Sequence, residues 1–208
     1  MQESWAWLTT LIAVIAVSLL FLGMEKSSLS ARQVAAIAVL AALSAAGRVT
    51  AGIVLCLQPT MFLVIITGFV MGTRAGFLVG AMTPLVSNFF IGQGPWTPWQ
   101  MLAWGLAGAS AAWLKYLYPQ SGSRVLIVFC LFWGYLYGWL MNIWFWSVFV
   151  HPLNWQSYLA TCAAGLGFDS LRALGNGFFC AALGTGVVKI LLRYQRKAYF
   201  SWLSAGGE

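Results

Sequence analysis

Long apolar runs separated by short polar breaks dominate this chain. The runs cover Trp5–Leu22, Ala31–Arg48, Ile53–Gly72, Ala75–Phe90, Trp99–Lys115, Val125–Val150 and Asp169–Leu192. Each approaches the ~20 residues a helix needs to cross ~30 Å of hydrocarbon. They are continuous rather than alternating, which predicts helices and not the strands of an outer-membrane barrel. Gln58–Pro59 within the third run predicts a helix start or a kink there. The pattern therefore predicts an all-α integral membrane protein with seven spans.

Composition strengthens that expectation. Of 208 residues, 61% are hydrophobic and 7% charged, where a soluble domain carries about 25% charged residues. A soluble fold is excluded on that ground. The glycines and alanine runs suit helices that pack closely in lipid. Met1–Ser4 contains Glu3 and no base, so Trp5–Leu22 is expected to be a retained helix and not a cleaved signal peptide. Cys56, Cys130, Cys162 and Cys180 have no metal-ligand or CxxC spacing and read as small buried hydrophobes, with no metal site expected.

The net charge of +7 would suggest nucleic acid in a soluble protein. Here the bases lie at helix ends, and no nucleic-acid partner is expected. Lys26, Arg32, Arg74, Lys115, Arg124, Arg193, Arg196 and Lys197 fall on one side of a seven-span arrangement. The other side holds the N-terminus, Arg48 with its short loop, the 92–98 turn and a long 150–168 segment. The basic side is expected to be cytoplasmic, giving a multi-pass plasma-membrane protein with an inner C-terminus and binding chemistry on the outer face.

The outer chemistry concentrates in Gly92-Gln93-Gly94-Pro95-Trp96-Thr97-Pro98-Trp99-Gln100. This turn interrupts the segment Ala75–Leu114, which contains no Asp, Glu, Lys or Arg. A second cluster is His151-Pro152-Leu153-Asn154-Trp155-Gln156. Trp5, Trp7, Trp113 and Trp202 read as headgroup anchors, whereas Trp96, Trp99 and Trp155 read equally as anchors or as ligand contacts. Aromatic faces with directed amides suit a large, partly apolar, neutral molecule. His151 reads as a polar loop residue, or as a ligand contact, even an axial ligand to a metal cofactor. Asp169 and Arg172 sit at i, i+3. They are either a pair holding the start of the seventh helix or a functional pair at membrane depth.

Alanines at 31, 35, 38, 42 and 45 form one stripe on the second helix. The stripe packs within the chain or docks on a separate membrane protein. No Walker A, HExxH or GxSxG motif is present, and acids are few, so no catalytic residues are expected. Energy for moving a substrate must come from another protein.

The striped helix, Gln58-Pro59-Thr60, Arg74-Ala75-Gly76-Phe77, Gly92–Met101 and Phe168–Asn176 together resemble the substrate-binding (S) components of energy-coupling factor (ECF) vitamin transporters, over about Ala31 to Arg196. The GPWTPWQ-type turn is most similar to the cobalamin-type branch. The resemblance implies a six-helix core over 31–197, preceded by an additional helix and linker over 1–30 and followed by a tail over 198–208. It implies no intrinsic cofactor, with cobalamin as transported ligand and ATP used only by partner subunits. Those partners are the transmembrane coupling protein EcfT and two cytoplasmic ABC ATPases, which drive toppling of the loaded component. Docking maps onto Ala31, Ala35, Ala38 and Ala42. Substrate contacts map onto Trp96, Thr97, Trp99, Gln100, His151, Asn154 and Trp155, with Asp169 and Arg172 counted among them. A different aromatic vitamin or precursor, and a structural subunit of a membrane complex, are the alternatives.

Overall fold

A computed structural model describes residues 2–25, 29–52, 59–117 and 123–205. Lys26, Cys56, the 53–58 part of the third apolar run and residues 206–208 of the tail lie outside them, as do the side chains of Glu3, Trp5, Glu25, Lys197 and Trp202. Seven helices and no strand occur among the described residues: α1 Gln2–Glu25, α2 Ala31–Gly52, α3 Thr60–Met71, α4 Thr73–Ile91, α5 Thr97–Leu117, α6 Ser123–Phe149 and α7 Trp155–Ala205. Four of them are long and apolar enough to cross a membrane, within Ala31–Thr50, Thr73–Ile91, Arg124–Phe149 and Trp155–Arg196. The molecule is thus a multi-pass, membrane-embedded helical protein. By contrast, α3 has 12 residues, or ~18 Å at 1.5 Å per residue, short of a full span.

Local chemistry accounts for several helix ends. Ser30 and Gln33 form a reciprocal capping box: Ser30 N–H donates to Gln33 Oε1 (3.0 Å) and Gln33 N–H to Ser30 Oγ (3.3 Å). The link between α3 and α4 is the single residue Gly72, at φ +96°, a conformation that glycine adopts without steric cost. Pro98 falls in the first turn of α5, where its missing N–H has no helical partner to lose.

Two departures from the sequence pattern matter for function. First, α2 continues past Arg48 to Gly52, so Arg48 belongs to a helix and not to a short loop. Second, the 150–168 segment is not a long outer loop. Only 150–154 connects α6 to α7, and α7 begins at Trp155, through Gly165 and Gly167. Asp169 therefore lies within α7 and does not cap its start. At 51 residues, α7 is ~75 Å long, more than twice the ~30 Å of hydrocarbon.

Backbone contact between α3, α4 and α5 forms the rigid centre. A Cβ built on Gly68 meets the carbonyl of Gly108, one on Gly76 meets both Gly108 and Gly68 Cα, and one on Gly80 meets the Trp104 carbonyl. Such proximity replaces the hydrophobic drive that lipid does not supply. Phe62, Val64, Ile65, Ile66, Phe77 and Val79 fill the surrounding core. Helices α6 and α7 pair as a hairpin, with Gly134 against Ala173 and Gly138 against Asp169.

The basic helix ends share one face of the bundle. Lys115 Nζ donates to the Val70 carbonyl (3.4 Å), Gln195 Nε2 donates to the same oxygen (3.0 Å), and Tyr194 Oη donates to the Arg32 carbonyl (2.7 Å). Arg48 and the Gly92–Trp96 turn stand at the opposite end, where α2 and α4 finish and α3 and α5 begin.

Candidate functional site

Polar side chains gather at that opposite end, inside an otherwise apolar bundle. Ser44 and Thr60 exchange hydrogen bonds with each other's backbone carbonyl (both 3.4 Å), and Pro59 lies where a Cβ on Gly47 would point. These contacts tie the last turns of α2 to the first turn of α3. Arg48 is thereby held 8% exposed and directed inward. Its Nη1 donates to Ser87 Oγ (2.6 Å) and Asn88 Oδ1 (2.5 Å), and its guanidinium lies 4.9 Å from the centre of the Trp104 ring.

Asn88 is the junction of this network. Its Nδ2 donates to Thr97 Oγ1 (2.8 Å) and Gln100 Oε1 (3.0 Å), and the Thr97 hydroxyl donates to Gln93 Oε1 (3.0 Å). The Gly92–Trp96 turn is thus wired to Arg48 through one amide. From the other wall, Tyr137 of α6 stacks on Trp104 (centroids 5.3 Å, planes 16° apart), and Arg172 of α7 lies 4.9 Å from the Tyr137 ring centre. Arg172 Nη1 also donates to Asp169 Oδ1 (2.7 Å). The side chains form a ladder, Arg48–Trp104–Tyr137–Arg172, with a guanidinium at each end. Cation–π contact makes the two outer steps attractive, the more so away from water, and ring stacking joins the middle one.

A cavity of about 180 Å³ opens against this ladder. Arg48, Thr60, Gln100, Trp104, Tyr137, Arg172 and Asn176 line it together with Met61, drawing on α2, α3, α5, α6 and α7. Asn176 is 1% exposed, and its Nδ2 has no hydrogen-bond partner among the described residues. Burying an amide donor without an acceptor costs about 1–3 kcal/mol, so the donor is held ready for an incoming acceptor.

The site residues expected from sequence divide into two groups. Gln100 and Arg172 line the cavity, and Asp169 positions Arg172 from beneath. Thr97 and Trp99 are buried but do not line it, Thr97 standing within the Asn88 network. Trp96 folds over Gly94 and meets Trp144 edge-on at 5.6 Å, so it covers the turn but is not among the lining residues. His151, Asn154 and Trp155 are not brought to the cavity. They are exposed at the tip of the α6–α7 hairpin, and Trp155 rests on Tyr158. Asn154 is occupied as the cap of α7, its Oδ1 accepting from Ser157 N–H at 2.8 Å. Asn154→Ala should accordingly lower stability by about 1 kcal/mol and leave ligand affinity unchanged, as read by thermal melting and titration.

Sequence reasoning passed over Arg48, Asn88, Trp104, Tyr137 and Asn176. Arg48 carries a visible signal, being a base at the end of an apolar run, but by charge pattern alone it reads as a loop-side base. The stripe alanines Ala31, Ala35, Ala38 and Ala42 are exposed on α2, whereas Ile37, Leu40, Ala41, Ser44 and Ala45 turn inward. Ala45, the last member of the stripe, is thus packed inside the bundle, and only the other four alanines are not consumed by packing among the described residues.

The family model described as ECF transporter, substrate-specific component, matches residues 32–194. No curated protein and no solved structure matches the chain.

Proposed function

The chain belongs to the substrate-specific components of ECF transporters, and from that premise we propose that it binds a vitamin at the Arg48–Arg172 cavity and delivers it to the cytosol. Cobalamin is the proposed vitamin. The observation that carries the site is the polar, two-arginine cavity beneath the Gly92–Trp96 turn, in a bundle that is apolar elsewhere. Buried charge inside a membrane bundle is costly and marks a functional site by default. Cobalamin is supported by the likeness of the Gly92–Gln100 turn to that branch of the family.

A second reading, a smaller aromatic vitamin or precursor, is favoured by the cavity volume. About 180 Å³ lies below the ~300–1,000 Å³ of pockets that enclose drug-sized ligands. A corrinoid would have to rest across the mouth, with one peripheral group in the cavity. Calorimetric titration of the purified protein without ATP separates the readings. Saturable heat with cobalamin supports the first, and heat only with a smaller vitamin supports the second. No heat with either, from a folded sample, opposes both.

The basic end of the bundle faces the cytosol in this proposal, which places the C-terminus inside and the cavity near the outer face. EcfT and two ABC ATPases supply the energy, and the component topples to expose its loaded site. The exposed stripe Ala31, Ala35, Ala38 and Ala42 supports docking on EcfT, since small residues allow close backbone approach. Ala38→Trp should leave vitamin binding intact and abolish ATP-driven uptake in cells that hold the complete transporter. Normal uptake by that variant would remove α2 from the interface.

A further inference from the structure

The cavity carries more positive charge than the described residues around it balance. Of the chain's four acids, Asp169 is the one whose side chain is described, and it is committed to Arg172 at 2.7 Å. Among the described residues Arg48 meets only neutral acceptors, Ser87 Oγ and Asn88 Oδ1, and the face of Trp104. It is 8% exposed, in a helix that crosses an apolar medium. A buried cation lacking a counter-charge costs several kcal/mol. Such a cost is tolerated at functional sites, where the missing charge arrives with the ligand.

Neighbouring groups agree with an anion and not with a second cation or an apolar plug. Asn176 Nδ2, a buried donor without a partner, lines the same cavity. Arg172 lines it too, and its own carboxylate partner does not line it. Trp104 and Tyr137 are engaged with each other and with the two guanidiniums. The enclosed part is therefore built from hydrogen-bond donors and not from free aromatic faces.

We propose that the substrate presents an anionic group, a carboxylate or a phosphate, to Arg48, with Asn176 Nδ2 donating beside it and Arg172 closing the far side. This rests on the cavity being the vitamin site proposed above. It departs from the neutral molecule suggested by the outer turns, because the enclosed residues and not the turns set the charge of the group that enters. A guanidinium suits either oxyanion through paired N–H donors. The cavity volume suits such a head group, with the rest of the substrate reaching toward the mouth.

Matched ligand pairs test it on the full-length protein in lipid nanodiscs. The pairs are nicotinate and nicotinamide, biotin and biotinamide, and pyridoxal phosphate and pyridoxal. At least one acidic member should bind about ten-fold or more tightly than its neutral partner, about 1.4 kcal/mol. A phosphate pair or a carboxylate pair showing the preference identifies which oxyanion is read. Arg48→Gln should erase that preference, and Arg48→Lys should keep part of it. Asn176→Asp provides a second variant, whose new carboxylate pairs with Arg48 and should exclude the acidic ligand without unfolding the bundle. The proposal is overturned if no pair shows an acidic preference, if none of the acidic members binds at millimolar concentration, or if the preference survives both Arg48→Gln and Asn176→Asp. Tight binding of neutral members alone would overturn the anion while leaving the vitamin-transport reading in place.

Discussion

Arg48→Met is expected to reduce substrate affinity by about 100-fold while leaving the unliganded protein within about 1 kcal/mol of its original stability. The two effects separate because the guanidinium is poorly served by the empty bundle. Removing it takes a buried charge away, which is favourable. It also leaves Asn88 Oδ1 without its donor, at a cost of about 1–3 kcal/mol. The two changes nearly offset each other. The ligand has no such compensation, since it loses the one cation in the cavity that no carboxylate already engages. Titration and thermal melting of the same preparation check both halves. A variant that melts far earlier, with affinity unchanged among the folded molecules, would make Arg48 a structural residue.

The second large effect concerns folding. Gly76→Val should destabilise the bundle by about 3 kcal/mol or more and sharply lower the yield of monodisperse protein. A Cβ at residue 76 runs into the backbone of Gly108 and of Gly68. Backbone on two neighbouring helices cannot rotate out of the way as a side chain can. Widening that contact would also spread α4 from α5, whose Asn88, Thr97 and Gln100 carry the network leading to Arg48. Gly167→Ala is the control, because nothing lies within 4 Å of a Cβ there. Equal yield and melting behaviour of Gly76→Val and Gly167→Ala would refute the close-packing argument.

Much of the helical framework was legible because lipid imposes a simple rule. A chain that must satisfy its backbone internally becomes helical wherever it is apolar, so the runs at Ala75–Phe90 and Trp99–Lys115 lie close to α4 and α5. The rule failed between Val150 and Phe168. Pro152 and the amides read as loop signals, yet α7 runs on from Trp155 through Gly165, which lies close to Asn142 of α6. A glycine that weakens an isolated helix is useful where two helices approach.

Arg48 shows the other limit. Its position near a helix end reads as the lone base of the outer loops, and nothing local distinguishes it from a headgroup-facing base. Its burial depends on Ser87 and Asn88, 39 and 40 residues away, and on Trp104. Trp96 illustrates the converse. Its proline-rich setting marked a turn with a purpose, but the ring spends its area on Trp144 and covers the turn. Just past the turn, Gln100 lines the cavity, and Thr97 is tied to it through Asn88, whose Nδ2 donates to both.

Native mass spectrometry of the full-length protein, released from membranes of cells grown with a vitamin mixture, measures the central claim most directly. One small molecule per chain is expected on the wild-type protein in the absence of ATP, and it should be missing from Arg48→Met. A folded wild-type protein that carries no such molecule, or an Arg48→Met variant that keeps it as fully as the wild type, would contradict a vitamin site at the Arg48–Arg172 cavity.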